Sequence, residues 1–244
     1  MDRARIAELL QPFLAPSPES PKETAGHAVL LPAQLQHISI YIDLLLRWNS
    51  RVNLTSVRQP EEIVTRHFGE SLFAARHLFP APEQNPPEKV PPEVEVIDVG
   101  SGAGFPGLPI RIWDPLIHLT LIESNQKKAT FLREVVRALT LTNVDVFAGR
   151  AADFQARPSL SQHSSVSSTK RSGDVVTLRA VEHFDSILPE ATSLVSPSGR
   201  LAILIGQAQL DRARHLANSL QWALPIKLPA SSSRFLIIGR NESK

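Results

Sequence analysis

The chain has 244 residues, 42% of them hydrophobic, with a formal net charge of +2. That length suits one α/β domain with an appendage, and the small positive balance permits nucleic-acid binding without demanding it. Cysteine is absent, which excludes disulfides, thiolate zinc sites and any chemistry needing a cysteine nucleophile; no apolar run approaches the ~18 residues of a membrane span.

Residues 2–14 read as a short helix, with charges through Arg3, Arg5 and Glu8 that do not fit a signal peptide. Residues 15–32 are rich in Pro and Ser and read as a linker. Leu35, Ile38, Ile42 and Leu45 then recur at helical spacing, ending near Trp48-Asn49. Pro60-Glu61-Glu62 opens a further helix whose apolar stripe is Phe68, Leu72, Ala75 and Phe79. Residues 80–93 carry six prolines and read as a second linker. The expected organisation is a helical N-terminal extension over 1–79, the Pro-rich linker over 80–93 and a sheet domain over 94–244.

From residue 94 strands and helices alternate. Strands are expected at 94–99, 118–123, 144–148, 174–179, 201–206, 222–228 and 234–239. Helices are expected near 105–112, 127–140, 182–194 and 208–219. Only residues 229–233 join the last two strands. A parallel crossover needs about a dozen residues, so this pair is expected as an antiparallel hairpin. The fold class is therefore α/β: a Rossmann-like, mostly parallel seven-stranded sheet with an antiparallel last strand. Residues 157–173 carry many serines and read as a surface insertion.

The run Asp98-Val99-Gly100-Ser101-Gly102-Ala103-Gly104-Phe105-Pro106-Gly107 follows the first strand. Alternate glycines allow a tight turn and close approach of a ligand to the backbone. Gly102-x-Gly104-x-x-Gly107 also fits a dinucleotide-binding loop, with Glu123 where a ribose-binding acid belongs. Asp98 favours S-adenosyl-L-methionine instead. A carboxylate two residues before the first glycine suits a cationic amino group and sits poorly beside a pyrophosphate. The glycine run thus marks 94–244 as an S-adenosylmethionine-dependent methyltransferase domain. Glu123, read as a strand-end acid outside the core, is the expected acceptor for the ribose hydroxyls. Ala151 and Ala152 would lie over the adenine, offering backbone groups and little bulk. No metal-ligand set is read.

Arg179-Ala180 ends the fourth strand, beside the expected methyl group. An exocyclic-amine methyltransferase would carry Asn-Pro-Pro-aromatic there. The only similar run, Asn85-Pro86-Pro87-Glu88, lies in the linker. With cysteine absent as well, an acceptor with a ready lone pair remains, such as guanine N7. Arg179 is a candidate for positioning rather than proton transfer. His67 is either ligand-facing or satisfied on its own helix face. The basic side of the helix after the second strand (Lys127, Lys128, Arg133, Arg137) reads equally as solvated charge or RNA contact.

Taken together, Trp48-Asn49, Asn53-Leu54-Thr55-Ser56-Val57, Arg66-His67, Ser71, the glycine run, Glu123-Ser124, Lys127-Lys128, Phe131-Leu132, Arg179-Ala180 and Arg234 resemble the bacterial 16S rRNA guanine-N7 methyltransferases, the glucose-inhibited division protein B family. The resemblance covers about residues 35–240. It implies a class I methyltransferase fold, S-adenosyl-L-methionine as cofactor, and methylation of a guanosine in the decoding-region loop of 16S rRNA. It implies cofactor contacts at Gly100, Phe105, Ala151, Ala152 and Arg179, and it makes Asn53, Arg66, His67 and Arg234 candidates to face RNA. The expected setting is a cytoplasmic monomer acting on 16S rRNA or the small ribosomal subunit, without a membrane. The family's fifth strand commonly ends Leu-Lys-Gly; here it reads Leu204-Ile205-Gly206. Other acceptors, an inactive RNA-binding regulator and an NAD enzyme are the competing readings.

Overall fold

A computed structural model describes residues 1–15, 29–79, 93–156 and 171–242. Most of the expected linkers 15–32 and 80–93, and most of the insertion 157–173, lie outside these residues.

Eight strands form one sheet: β1 (Glu95–Val99), β2 (His118–Glu123), β3 (Val144–Ala148), β4 (Gly173–Arg179), β5 (Val195–Gly206), β6 (Gln221–Trp222), β7 (Ile226–Lys227) and β8 (Arg234–Arg240). Their order is β3-β2-β1-β4-β5-β8-β6, with β7 also paired to β8. The pairs among β1–β5 are parallel, and β8 runs antiparallel to β5, β6 and β7. The chain leaves β1 toward β3 and returns to β4 on the other side. The carboxyl ends of β1 and β4 thus flank the switch point where such sheets bind ligands.

The strand expected at 222–228 is instead two short pieces, giving eight strands rather than seven. Trp222 faces Gly239 and Ile226 faces Leu236, so the β6–β7 side holds one extra residue. Pro225 lies in that gap and has no N–H for the ladder, which makes a bulge the natural solution. β5 begins at Val195, six residues earlier than expected. The Ser196-Pro197-Ser198-Gly199 run, which lies between the expected elements, is carried within the strand.

Helices cover both faces of the sheet. On one face lie α1 (Arg3–Leu14), α2 (Pro32–Asn49), α3 (Pro60–Glu62), a π-helical turn (Ile63–Gly69), α4 (Glu70–Leu78), α5 (Gly107–Trp113) and α6 (Gln126–Ala138). Ile6, Tyr41, Phe68, Leu72, Leu108, Phe131, Val96 and Val175 share one apolar core there. On the other face, α7 (Ala151–Gln155), α8 (Phe184–Ser193) and α9 (Leu210–Leu216) pack on Ile97, Val99, Val176, Leu178 and Ile203. Side chains alternate between faces along a strand. Val96 and Val175 therefore place Asp98, Thr177 and Arg179 on the face of the N-terminal helices. Ile205 belongs to the opposite core and is buried. No helix among the described residues is long and apolar enough to cross a membrane.

The N-terminal helices are tied in by polar side chains as well as by packing. Arg76 donates from Nη1 to the carbonyls of Phe13 (3.2 Å) and Ala15 (2.7 Å), at the C-terminal end of α1. Gln34 accepts from the Leu31 N–H and donates to the Ile112 carbonyl, each at 2.8 Å, joining α2 to α5.

Candidate methyl-transfer site

The glycine run forms the turn from β1 into α5. Gly100, Gly102 and Gly104 all have positive φ, at 68°, 57° and 89°. At Gly104 a Cβ would stand 2.3 Å from the Tyr41 hydroxyl and 2.6 Å from Leu108, so α2 and α5 close on the backbone there. At Gly102 the nearest neighbour of a Cβ would be the Gly100 carbonyl at 3.8 Å. Gly102 is the loop position that faces open space, as a ligand cradle requires.

A Gly102→Val variant tests that cradle. A branched residue held at this φ costs about 1–2 kcal/mol of backbone strain, which a domain this size tolerates. Its methyls would occupy the space in front of the loop. The protein is expected to fold by circular dichroism and to lose cofactor binding in calorimetry; unchanged affinity in the folded variant would place the cofactor elsewhere.

Glu123 holds the loop from β2. Its two carboxylate oxygens accept from the Gly102 N–H (2.8 Å) and the Asn125 N–H (2.7 Å). The side chain is buried, which corrects the reading of it as a strand-end acid outside the core: it fastens the loop to the start of α6. Each oxygen retains lone-pair capacity beyond these bonds, so the ribose role stays open to it.

Asp98 lies beneath the same loop and is fully buried. Oδ1 accepts from the Thr177 hydroxyl (2.6 Å) and Oδ2 is 3.4 Å from the Gly107 N–H. Burial raises its pKa to about 6; the Thr177, Ser101 and Gly107 bonds oppose that rise, and Glu123 adds to it. The folded state therefore holds this proton more tightly than the unfolded chain does. The contribution of Asp98 to stability is full below about pH 4 and is lost as pH rises toward 6, a difference of order 2–3 kcal/mol. Asp98→Asn should flatten this part of the profile, measured as the difference between urea melts of variant and parent at pH 5 and 7. Parallel profiles for the two proteins would remove Asp98 as the cause. A cationic group bound beside Asp98 would favour its ionised form.

The loop is also propped by an aromatic stack. Tyr41, fully buried on α2, donates its hydroxyl to the Ala103 carbonyl. Its ring stacks on Phe105 (centroids 5.3 Å apart, 3° between planes), and the His67 ring lies against Phe105 at 4.8 Å and 24°. The Phe105 side chain is thus committed to the helical layer, and only its backbone is left for the cofactor.

His67 belongs to the π turn, the kind of local distortion found at functional sites. Arg179 Nη2 approaches its Nδ1 at 3.1 Å, and Thr55 Oγ1 meets its Nε2 at 2.8 Å. A guanidinium only donates, so Nδ1 carries the lone pair and Nε2–H donates to Thr55. Burial and the nearby arginines Arg179, Arg66 and Arg234 lower its pKa to about 3, which keeps the ring neutral. Thr55 is placed by Asn49, whose buried side chain accepts from the Leu54 and Thr55 N–H groups (2.9 and 3.0 Å) and donates to the Thr55 carbonyl (2.9 Å). That lock is what the Trp48-Asn49…Asn53-Leu54-Thr55 run encodes.

Arg179 reaches from the end of β4 to the π turn. Nη2 donates to the Arg66 carbonyl (2.6 Å) and to Glu70 Oε2 (3.2 Å). Arg234 Nη2 meets Glu70 Oε1 at 2.6 Å. Glu70, itself buried, therefore joins β4, β8 and α4; burial raises its pKa against the pull of Arg179, Arg234 and Arg66. Arg179 Nη1 and Arg234 Nε are buried without a hydrogen-bond partner among the described residues. The structure so brings together Arg66, His67, Arg179 and Arg234 from the expected RNA-facing and cofactor-facing sets. Asn53 is exposed in the loop that Asn49 locks.

A cleft of about 280 Å³ opens at the carboxyl ends of β1, β2 and β3, lined by Val99, Gly100, Ile122, Ser124, Gly149 and Ala151, with His183 and Glu190 opposite. Gly100 and Ala151 thus share it. Ala152 is exposed on α7, a helix that the sequence reading takes as a turn. Sequence reasoning also misses Tyr41, Thr177, Glu70 and His183. Tyr41 carried one usable signal, since it is the chain's only tyrosine and sits beside a helical apolar stripe. A buried phenol needs a polar partner.

Among curated proteins, the ribosomal RNA small subunit methyltransferase G of Roseiflexus castenholzii is 36% identical over 212 residues, covering 84% of this chain and 82% of that protein. Its namesake from Chloroflexus aggregans is 33% identical over 222 residues, with 88% and 85% covered. A solved mutant of MtNAS matches with a TM-score of 0.51 at 11% identity, over 86% of this chain and 74% of that one, a likeness of fold alone. The family model described as GidB, rRNA small subunit methyltransferase G, matches residues 34–232, and the chain belongs to that family.

Proposed function

We propose that this protein transfers a methyl group from S-adenosyl-L-methionine to N7 of a guanosine in the decoding-region loop of 16S rRNA. Family membership carries the small-subunit rRNA methyltransferase activity. The observation that supports the cofactor is the open face at Gly102, held by Glu123, beside the cleft at the β1–β3 ends. Those residues fit the group. Gly100, Gly102 and the Phe105 backbone would line its methionine end, Asp98, buried beneath the loop, would act on its amino group only at a distance, Glu123 would take its ribose, and Ala151 and Ala152 its adenine. When bound, the sulfonium supplies an activated methyl group.

The chain's own part is positioning. Guanine N7 has a free lone pair and loses no proton on attack. His67, Asp98 and Glu70 suit that chemistry, because each is already engaged. His67 is neutral and bonded at both nitrogens. Asp98 is sealed under the loop, and Glu70 is held between two arginines. A guanidinium cannot act as a base at neutral pH. Arg179 and Arg234 supply fixed positive charge from the buried cluster around Glu70. The protein acts in the cytoplasm as a monomer on the small subunit or its rRNA.

The test is methyl incorporation from labelled S-adenosyl-L-methionine into small ribosomal subunits lacking the modification. Stoichiometric labelling of 16S rRNA is expected, and label in another RNA or none at all would overturn the reading.

A further inference from the structure

A second groove, of about 670 Å³, lies between the C-terminal end of α2 and the start of α6. Arg47, Arg51 and Lys127 line it together with Trp48, Thr130 and one acid, Glu134. No carboxylate lies within ion-pair distance of any of the three cations among the described residues. Three cations against one acid leave an unneutralised surplus in a concave surface, where fields concentrate and an anionic chain gains most. Trp48 rests on Phe131 (centroids 5.7 Å apart) and gives the groove an apolar floor where a base or ribose can lie.

The groove's place in the fold matters as much as its charge. Lys127 stands in the first turn of α6, four residues after Glu123, so it lies at the carboxyl edge of the sheet with the glycine loop. Arg51 precedes the 53–57 loop that binds His67 through Thr55. The groove therefore adjoins the candidate methyl-transfer site without sharing its residues.

We propose that this groove is an RNA track: Arg47, Arg51 and Lys127 grip the phosphate backbone of the substrate strand beside the target guanosine. The proposal rests on the reading of the protein as an rRNA methyltransferase. It concerns docking, so binding tests it separately from methyl transfer. The experiment compares the parent protein with an Arg47→Glu, Arg51→Glu, Lys127→Glu triple variant and with Lys227→Glu, a control on the opposite sheet edge. Affinity for naked 16S rRNA and for small subunits is measured across salt concentrations, with calorimetric affinity for S-adenosyl-L-methionine as the check on folding.

The triple variant is expected to bind both RNA forms at least tenfold more weakly. Its slope of log affinity against log salt should be shallower by about 2, since each single-strand phosphate contact contributes roughly 0.7. Cofactor affinity and the control should match the parent. Parent-like RNA affinity and slope in the triple variant would overturn the track. So would a loss seen with assembled subunits but not with naked rRNA, because the partner would then be a ribosomal protein. Binding that responds as expected in a parent protein that transfers no methyl group would leave the track standing and sink the enzymatic reading instead.

Discussion

A Glu70→Ala variant should be less stable than the parent by about 3–5 kcal/mol, the usual penalty for removing one partner of a buried ion pair. For a chain of this size that corresponds to a fall in melting temperature of roughly 6–20 °C. The reason is asymmetry. Glu70 is 2% exposed and answers both Arg179 and Arg234. Arg179, whose side chain is 10% exposed, has nowhere to rehydrate once the carboxylate is gone, whereas Arg234 at 30% can turn partly to water. Glu70→Gln keeps the shape and one acceptor and should lose less. Thermal melts by circular dichroism read the difference, and a Glu70→Ala melt within about 1 °C of the parent would show that the two arginines do not depend on this acid. Because Arg179 also holds the π turn through Arg66 and His67, the same variant should show faster exchange of the amide hydrogens in residues 63–69.

The second large effect is at Glu123. Glu123→Ala leaves the Gly102 and Asn125 N–H groups without their charged acceptor, and hydrogen bonds to a charged group are worth about 1.5–3 kcal/mol each. The loop that faces the ligand loses its anchor to β2, and the acceptor proposed for the ribose goes with it. Cofactor affinity should fall by about 1–3 kcal/mol, roughly 5- to 150-fold, with a measurable loss of stability beside it. Equal dissociation constants for variant and parent would reduce Glu123 to a purely structural tie.

Much of the sheet was legible before any coordinates. β2 and β3 fall where apolar, β-branched runs place them, and the five-residue link 229–233 does force an antiparallel pair. Those signals are local. Pro225 was visible too, yet the apolar pattern on either side of it reads as one strand; only the ladder shows that its missing N–H splits the element. α7 was illegible because five residues are too few for a helical period, and Ala151-Ala152 equally suits a turn.

At the site, the sequence marks the backbone better than the side chains. Glycines at 100, 102 and 104 announce a left-handed loop wherever the chain goes next. Several partners at the site arrive through tertiary packing from residues about 60 to 110 positions away, as with Tyr41 on Ala103 in the loop and Glu70 on Arg179 beside it. Glu70 in particular sits off the apolar stripe of its helix and looks like a solvated charge until two arginines from different strands are seen to converge on it. The same distance explains why Arg179 reads as cofactor-facing in sequence but is spent largely on the π turn.

The atom that accepts the methyl group has a direct chemical test. Methylation of guanine N7 makes the base a cation and its glycosidic bond labile. Borohydride reduction followed by aniline should therefore cut 16S rRNA at one guanosine of the decoding-region loop when the rRNA has been treated with this protein and S-adenosyl-L-methionine, and at no such position without it. Methyl label incorporated into the rRNA with no cleavage at a guanosine would contradict the account, because a guanosine methylated at N7 is cut under these conditions and the methyl group would then lie on another atom.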